Sequence, residues 1–127
     1  MPNIIQDKGL QEFVRNMIMT NTVSTNSDET GNMRSYIIRD IASDAILILD
    51  ALPLISNDIK PFVNYSITLN DIEIADFYIP VGRTMYSPDE ELIIRLFAMC
   101  SSKLIMQEAT FQMQMMIGRK NNNHHIN

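Results

Sequence analysis

Two stretches of the chain carry apolar residues at the spacing of one helix face. In residues 7–19 these are Leu10, Phe13, Val14 and Met17. In residues 33–52 they are Ile37, Ile41, Ala45, Ile48 and Leu52. A period of 3.6 residues predicts an amphipathic helix in each stretch, and Pro53 marks the end of the second.

A different pattern follows, in which every second residue is apolar. Val63, Tyr65, Ile67 and Leu69 alternate with polar residues, and the run from 72 to 79 remains rich in residues that favour strands. Asn70 and Asp71 between the two runs tolerate the positive φ of a tight turn. The sequence therefore predicts a β-hairpin.

Asp76 stands out within the second strand of this hairpin. The alternation set by Ile72 and Ile74 places its side chain inward. It fits a charge that guards a strand edge, a contact with Arg83 or Arg95, or a functional site.

The last third of the chain predicts one long helix, from Ser87 to Arg119. Ser87 and Glu90 fit a capping box, with Pro88 at the first helical position and acidic residues in the first turn. Gly118 followed by basic residues fits the C-terminal end of a helix.

This long helix is apolar on two stripes, more than one packing face requires. One stripe contains Ile93, Phe97, Cys100, Leu104, Phe111 and Met115. The other contains Leu92, Leu96, Met99, Met106, Met113 and Ile117. We predict that the first packs on the core and that the second is a partner or dimer interface.

Within the second stripe, apolar residues recur every seven positions, which keeps a row facing a neighbouring helix. Lys103 and Thr110 interrupt the heptads, so a long autonomous coiled coil is not expected. Five of the ten methionines lie in this helix, where their unbranched side chains suit either a core or an adaptable binding surface.

These elements predict an α+β, mostly α fold: helix, helix, β-hairpin and long C-terminal helix in a single small domain. We expect the domain to span residues 1–118, with a flexible loop at 20–32 rich in Ser, Thr, Asn and acidic residues. Residues 119–127 are expected to form a disordered polar tail.

Composition and charge narrow the function classes. The net charge of −5 is spread along the chain, so nucleic acid is not an expected partner. No apolar run reaches the roughly 20 residues of a membrane span, and the first residues lack the pattern of a secretory signal. A single cysteine, Cys100, favours a reducing compartment, and we expect a cytoplasmic protein.

No catalytic, cofactor or metal-binding constellation is evident in the sequence. The only histidines, His124 and His125, lie in the expected tail, which leaves no base for a Ser-His or Cys-His pair. Asp40 and Asp44 would share a helix face, but no other ligand accompanies them. We therefore expect no enzyme activity, no cofactor and no metal.

The expected function is a non-catalytic protein-binding module, a small acidic adaptor or chaperone or an inhibitor-type protein, acting through the Met-rich C-terminal helix as a homodimer. The alternative is a winged-helix-like transcription regulator that dimerises through the same helix. In that alternative the hairpin is the wing, and Arg34, Arg39, Lys60 and Arg83 would converge on DNA.

Overall fold

Five consecutive strands form one antiparallel sheet, preceded by a short helix and followed by a long one. The computed structural model describes residues 3–27 and 32–125. The elements are α1 (Lys8–Thr20), β1 (Val23–Ser27), β2 (Arg34–Asp40), β3 (Ala45–Ser56), β4 (Ile59–Leu69), β5 (Ile72–Pro80) and α2 (Pro88–His125). The strand order is β1-β2-β3-β4-β5, so each strand pairs with its neighbours in sequence.

The prediction of a mostly α fold is wrong, because residues 33–52 form strands and not a helix. They contain β2 and the first part of β3, joined by a turn in which Ile41 is exposed and Asp44 has a φ of 54°. Ser43 Oγ donates a hydrogen bond to Asp40 Oδ2 across this turn at 2.6 Å.

The physical reason lies in how both strands bury their residues. Tyr36 and Ile38 of β2 are buried opposite Leu49 and Leu47 of β3, and the isoleucines between them are half-buried on the other face. Short apolar runs of this kind match a buried strand as well as a helix, and β-branched isoleucine favours the strand.

The expected loop at 20–32 is also wrong in part. Thr20 is the last residue of α1, and residues 23–27 form β1 at the edge of the sheet. Val23, the only aliphatic residue in the segment, is 1% exposed and anchors this strand in the core. Residues 28–31 lie outside the described residues.

Two predicted elements are confirmed. The first helix, predicted at 7–19, is α1, and Asp7 Oδ1 accepts a hydrogen bond from the Leu10 N–H at its start. The hairpin is β4 and β5, with Asn70 and Asp71 at φ values of 50° and 66°. Positive φ at both central residues is the geometry of the turn that matches strand twist.

Asp76 does not point inward, because β5 contains a bulge. Ile67 pairs with Ala75 and Thr68 pairs with Glu73, which leaves Ile74 as an extra residue. The extra residue reverses the alternation, so Ala75 is buried and Asp76 is exposed.

Both helices contribute to one core on a single face of the sheet. Val14, Met17 and Ile18 of α1 share a buried cluster with residues of α2 and of the strands. Leu47 and Leu49 of β3 lie at its centre, each 0% exposed. The core therefore covers one face of the sheet with two neighbouring helices.

The long helix extends further than expected. We predicted an end near Gly118, but α2 continues to His125. Of the predicted tail at 119–127, residues 126 and 127 lie outside the described residues. The division into a domain at 1–118 and a disordered tail stays a prediction.

Candidate protein interface

The start of α2 is fixed by the predicted capping box. The Glu90 N–H donates to Ser87 Oγ at 3.2 Å, and the Ser87 N–H donates to Glu90 Oε1 at 3.0 Å. Arg83 Nη1 forms an ion pair with Glu90 Oε2 at 2.7 Å. The backbone hydrogen bond from Ser87, together with the Ser87 hydroxyl and Arg83, holds the pKa of Glu90 below its ordinary value.

The first half of α2 packs tightly on the sheet. Ile93, Leu96 and Cys100 are each 0% exposed, and Phe97 is 7% exposed. Phe97 makes an edge-to-face contact with Tyr65, the ring centroids lying 4.9 Å apart. Full burial of an Ile, Leu or Phe side chain contributes roughly 1.5–3 kcal/mol, so this half of the helix is part of the core.

Lys103 and Gln107 end the packed part of the helix with polar contacts. Lys103 Nζ donates to the carbonyl oxygens of Ile18 and Met19, both at 2.7 Å, and to that of Asn21. Gln107 Oε1 accepts from the Val23 N–H, and its Nε2 donates to the Val23 carbonyl, both at 2.8 Å. Lys103 therefore caps the C-terminal end of α1, and Gln107 closes the edge of β1.

Beyond Leu104 the helix begins to project from the core, and Gln107 keeps its hydrogen bonds to Val23. In residues 105–119, which we name the projecting segment, every residue except Gln107 is exposed. Its large apolar side chains are exposed by 42–70%: Ile105, Met106, Phe111, Met113, Met115, Met116 and Ile117. Fifteen helical residues span about 22 Å. In the described part of the chain, no other element packs over their apolar side chains.

The structure divides the predicted interface stripe in two. Leu92 and Leu96 are 9% and 0% exposed and belong to the core, and Met99 is half-buried against it. Met106, Met113 and Ile117 are 69%, 63% and 57% exposed. The predicted core stripe is divided at the same point of the helix. Its earlier residues are buried, whereas Phe111 and Met115 are exposed. The interface assignment itself stays a prediction.

A groove runs along α2 across the boundary between its two halves. It extends from Arg95 past Met99 and Met106 to Gln114, and Met19 at the end of α1 forms its side. Its volume is about 710 Å³. The 20 residues from Arg95 to Gln114 correspond to about 30 Å of helix, long enough for another helix to lie in the groove.

The outer face of the sheet offers a less apolar surface. Ser35, Asp50, Ser66 and Asp76 are aligned by the strand register and form a polar row across the four strands. Ser35 Oγ donates a short hydrogen bond to Asp50 Oδ1 within this row. This polar row divides the apolar side chains of the outer face into separate groups. The apolar side chains of the projecting segment are not divided in this way.

Other candidate chemistry is limited in the described part of the chain. Burial raises the pKa of the Cys100 thiol to about 12, so the thiol stays protonated and unreactive at neutral pH. Among residues 3–27 and 32–125, no three His, Cys, Asp or Glu side chains lie close enough to hold a metal ion. Neither described helix is long and apolar enough to cross a membrane.

Sequence reasoning missed two contributors to this surface, Ile105 and, on α1, Met19, and it counted Met116 among the helix methionines without assigning it to either stripe. The two stripes assigned residues to faces of α2 but did not show where the core ends. A compositional signal was present, because Glu108 is the only charged residue between Leu104 and Gly118. A helical stretch that is apolar all round requires burial.

Comparisons with protein-family models, with curated proteins and with solved structures found no match to this chain.

Proposed function

We propose that this chain is a non-catalytic protein-binding module that acts through the projecting segment of α2 as a homodimer. The observation that supports this most is the run of seven large apolar side chains in residues 105–117, each 42–70% exposed. Continuous exposed apolar surface of this kind marks protein interaction sites.

The stability of the helix itself gives a second reason. A helical stretch without tertiary packing gains little stability in water, because most helical stability in proteins comes from packing of an apolar face. Local contacts in the segment are few; Thr110 Oγ1 donates to the Met106 carbonyl at 2.9 Å, and Gln112 bonds Glu108 at 3.1 Å. A partner that covers the apolar side chains would supply the missing packing.

Within this class, an adaptor or chaperone and an inhibitor-type protein remain alternatives. Both would use methionine side chains that adapt to the shape of a partner. We propose a cytoplasmic location for either, because the chain has one cysteine, free and buried, and a chain without a disulfide framework is typical of a reducing compartment.

The winged-helix alternative loses its basis in the described fold. Residues 33–52, which would have to hold a recognition helix, form β2 and part of β3. Arg34 and Arg39 are five residues apart on one strand and so point to opposite faces of the sheet. Arg83 is paired with Glu90. Arg34, Arg39 and Arg83 therefore do not lie together on one DNA-binding surface.

Amide hydrogen exchange at two protein concentrations tests the proposal. We expect the amides of residues 108–118 to exchange more slowly at the higher concentration, since dimerisation orders the projecting segment. The amides of β3 serve as the control and should not change. Rapid exchange of the segment at both concentrations, with β3 protected, would contradict a homodimer formed through it.

A further inference from the structure

Acidic residues predominate at the start of α2, and basic residues lie near its other end. Asp89, Glu90 and Glu91 occupy the first turn, where Arg83 pairs with Glu90 and Arg95 lies 4.0 Å from Glu91. Arg119 and Lys120 lie near the other end. Between Leu96 and Gly118, the sequence holds only two charged residues, Lys103 and Glu108. The helix dipole has the opposite sign to the charges at each end, positive at the N-terminus and negative at the C-terminus.

From this distribution we infer that two copies of the chain pair their α2 helices antiparallel, with the two-fold axis at Met106. This inference rests on the proposed homodimer and adds its orientation and register. The acidic start of each helix then lies beside the basic end of its partner. A parallel pair would instead bring like charges together at both ends.

Pairing along the groove favours the same orientation. In a parallel, in-register pair, Arg95, which lines the groove, would face its own copy, and like charges directly opposed are destabilising. In the antiparallel pair centred on Met106, Arg95 lies opposite Ile117 of the second copy. Lys103 lies opposite Ala109, and its ammonium group remains bonded to the carbonyls at the end of α1.

The groove is also self-complementary under this symmetry. A two-fold axis at Met106 maps residues 95–114, the extent of the groove, onto residues 98–117 of the other copy. The same surface then serves both chains, as a closed dimer requires. Met99 of one copy lies opposite Met113 of the other. The half-buried part of the predicted interface stripe in each copy therefore covers the exposed part in its partner.

The length of this surface agrees with a second copy as the occupant. The groove and the projecting segment together cover residues 95–119, about 37 Å of helix on each chain, which is long enough for an extended helix–helix contact.

Single-cysteine variants of the full chain test the orientation. We choose Met106→Cys on the proposed axis, with Ser102→Cys and Thr110→Cys four residues to either side, all at exposed positions. Gln112→Cys, exposed on the other side of the helix, is the matched control. Cys100 can remain, because it is buried and its thiol does not react under mild oxidation at neutral pH.

The antiparallel pair predicts a specific pattern of disulfide crosslinks on a non-reducing gel. Met106→Cys alone shifts from 14.6 kDa to twice that mass. Ser102→Cys and Thr110→Cys do not crosslink alone, because eight residues along a helix separate like positions by about 12 Å. When the two are mixed, with a mass tag on one, they crosslink to each other.

Each other pattern overturns the inference in a distinguishable way. Crosslinking of Ser102→Cys and Thr110→Cys each with itself, and not in the mixture, would show a parallel pair and leave the proposed homodimer standing. A dimeric mass without crosslinks, or with crosslinks at Gln112→Cys only, would place the contact elsewhere. A monomeric mass without crosslinks would overturn both this inference and the proposed homodimer.

Discussion

The substitution Met106→Lys tests whether Met106 belongs to an interface or to the core. Met106 is 69% exposed in the single chain, so a lysine there keeps its ammonium group in water. Surface substitutions of this kind change the unfolding free energy by no more than about 0.5 kcal/mol. The fold of the single chain should therefore survive.

The same change should weaken the dimer strongly. Full burial of a methionine side chain contributes about 1.5–3 kcal/mol, and the exposed fraction of Met106 leaves about two thirds of this for the interface. Two copies then lose about 2–4 kcal/mol together, which raises the dissociation constant roughly 30- to 1,000-fold. Repulsion between two lysines at the axis adds to the loss.

Sedimentation equilibrium gives the dissociation constant, and circular dichroism gives the fold. Met113→Lys, at a position 63% exposed, should act in the same direction. Met85→Lys is the matched control, because Met85 is 84% exposed in the segment before α2. Unfolding of the Met106 and Met113 variants would show that the stripe is core. Unchanged self-association would exclude this surface as the interface.

Three further changes test the contacts that position α2 and the sheet. Lys103→Met removes the hydrogen bonds to the carbonyls that end α1 and should lower the unfolding free energy by about 1–3 kcal/mol in urea denaturation; an unchanged midpoint would contradict the capping role. Glu90→Gln should make the unfolding free energy depend less steeply on pH in acid. Because the folded pKa of Glu90 lies below its ordinary 4.5, the ionised carboxylate stabilises the fold above pH 4.5, and this stabilisation is lost as pH falls through the folded pKa. An acid profile as steep as that of the natural chain would refute this. Asp71→Gly should raise the melting temperature through a gain of about 0.5–1 kcal/mol, since glycine adopts a φ of 66° without strain; a lower melting temperature would show that the aspartate side chain is needed in the turn.

Local signals explain which elements were predictable from the sequence. Asn70 and Asp71 specify a tight turn through their own backbone preferences, and Ser87 with Glu90 specifies a helix start through two reciprocal hydrogen bonds. Each signal acts within a few residues. The hairpin and the start of α2 therefore followed from sequence alone.

The remaining features depend on contacts between distant segments. The isoleucine-rich run at 45–49 becomes a strand because β2 and β4 pair on either side of it. The bulge at Ile74 changes which side chains of β5 face inward. Neither effect is visible in a residue period.

The candidate site shows the same division. The apolar stripes of α2 were visible in the sequence, but the point where the core ends was not. That point is set by Lys103 and Gln107, which bond to α1 and β1 more than 80 positions earlier in the chain. In the sequence Lys103 interrupts a heptad pattern, and in the structure it caps the C-terminal end of α1.

The mass of the natural chain in solution, measured by light scattering over a concentration series, tests the central claim most directly. We predict a mass of twice 14.6 kDa, falling toward 14.6 kDa only on dilution. A mass of 14.6 kDa at every concentration would contradict a homodimer formed through the projecting segment of α2.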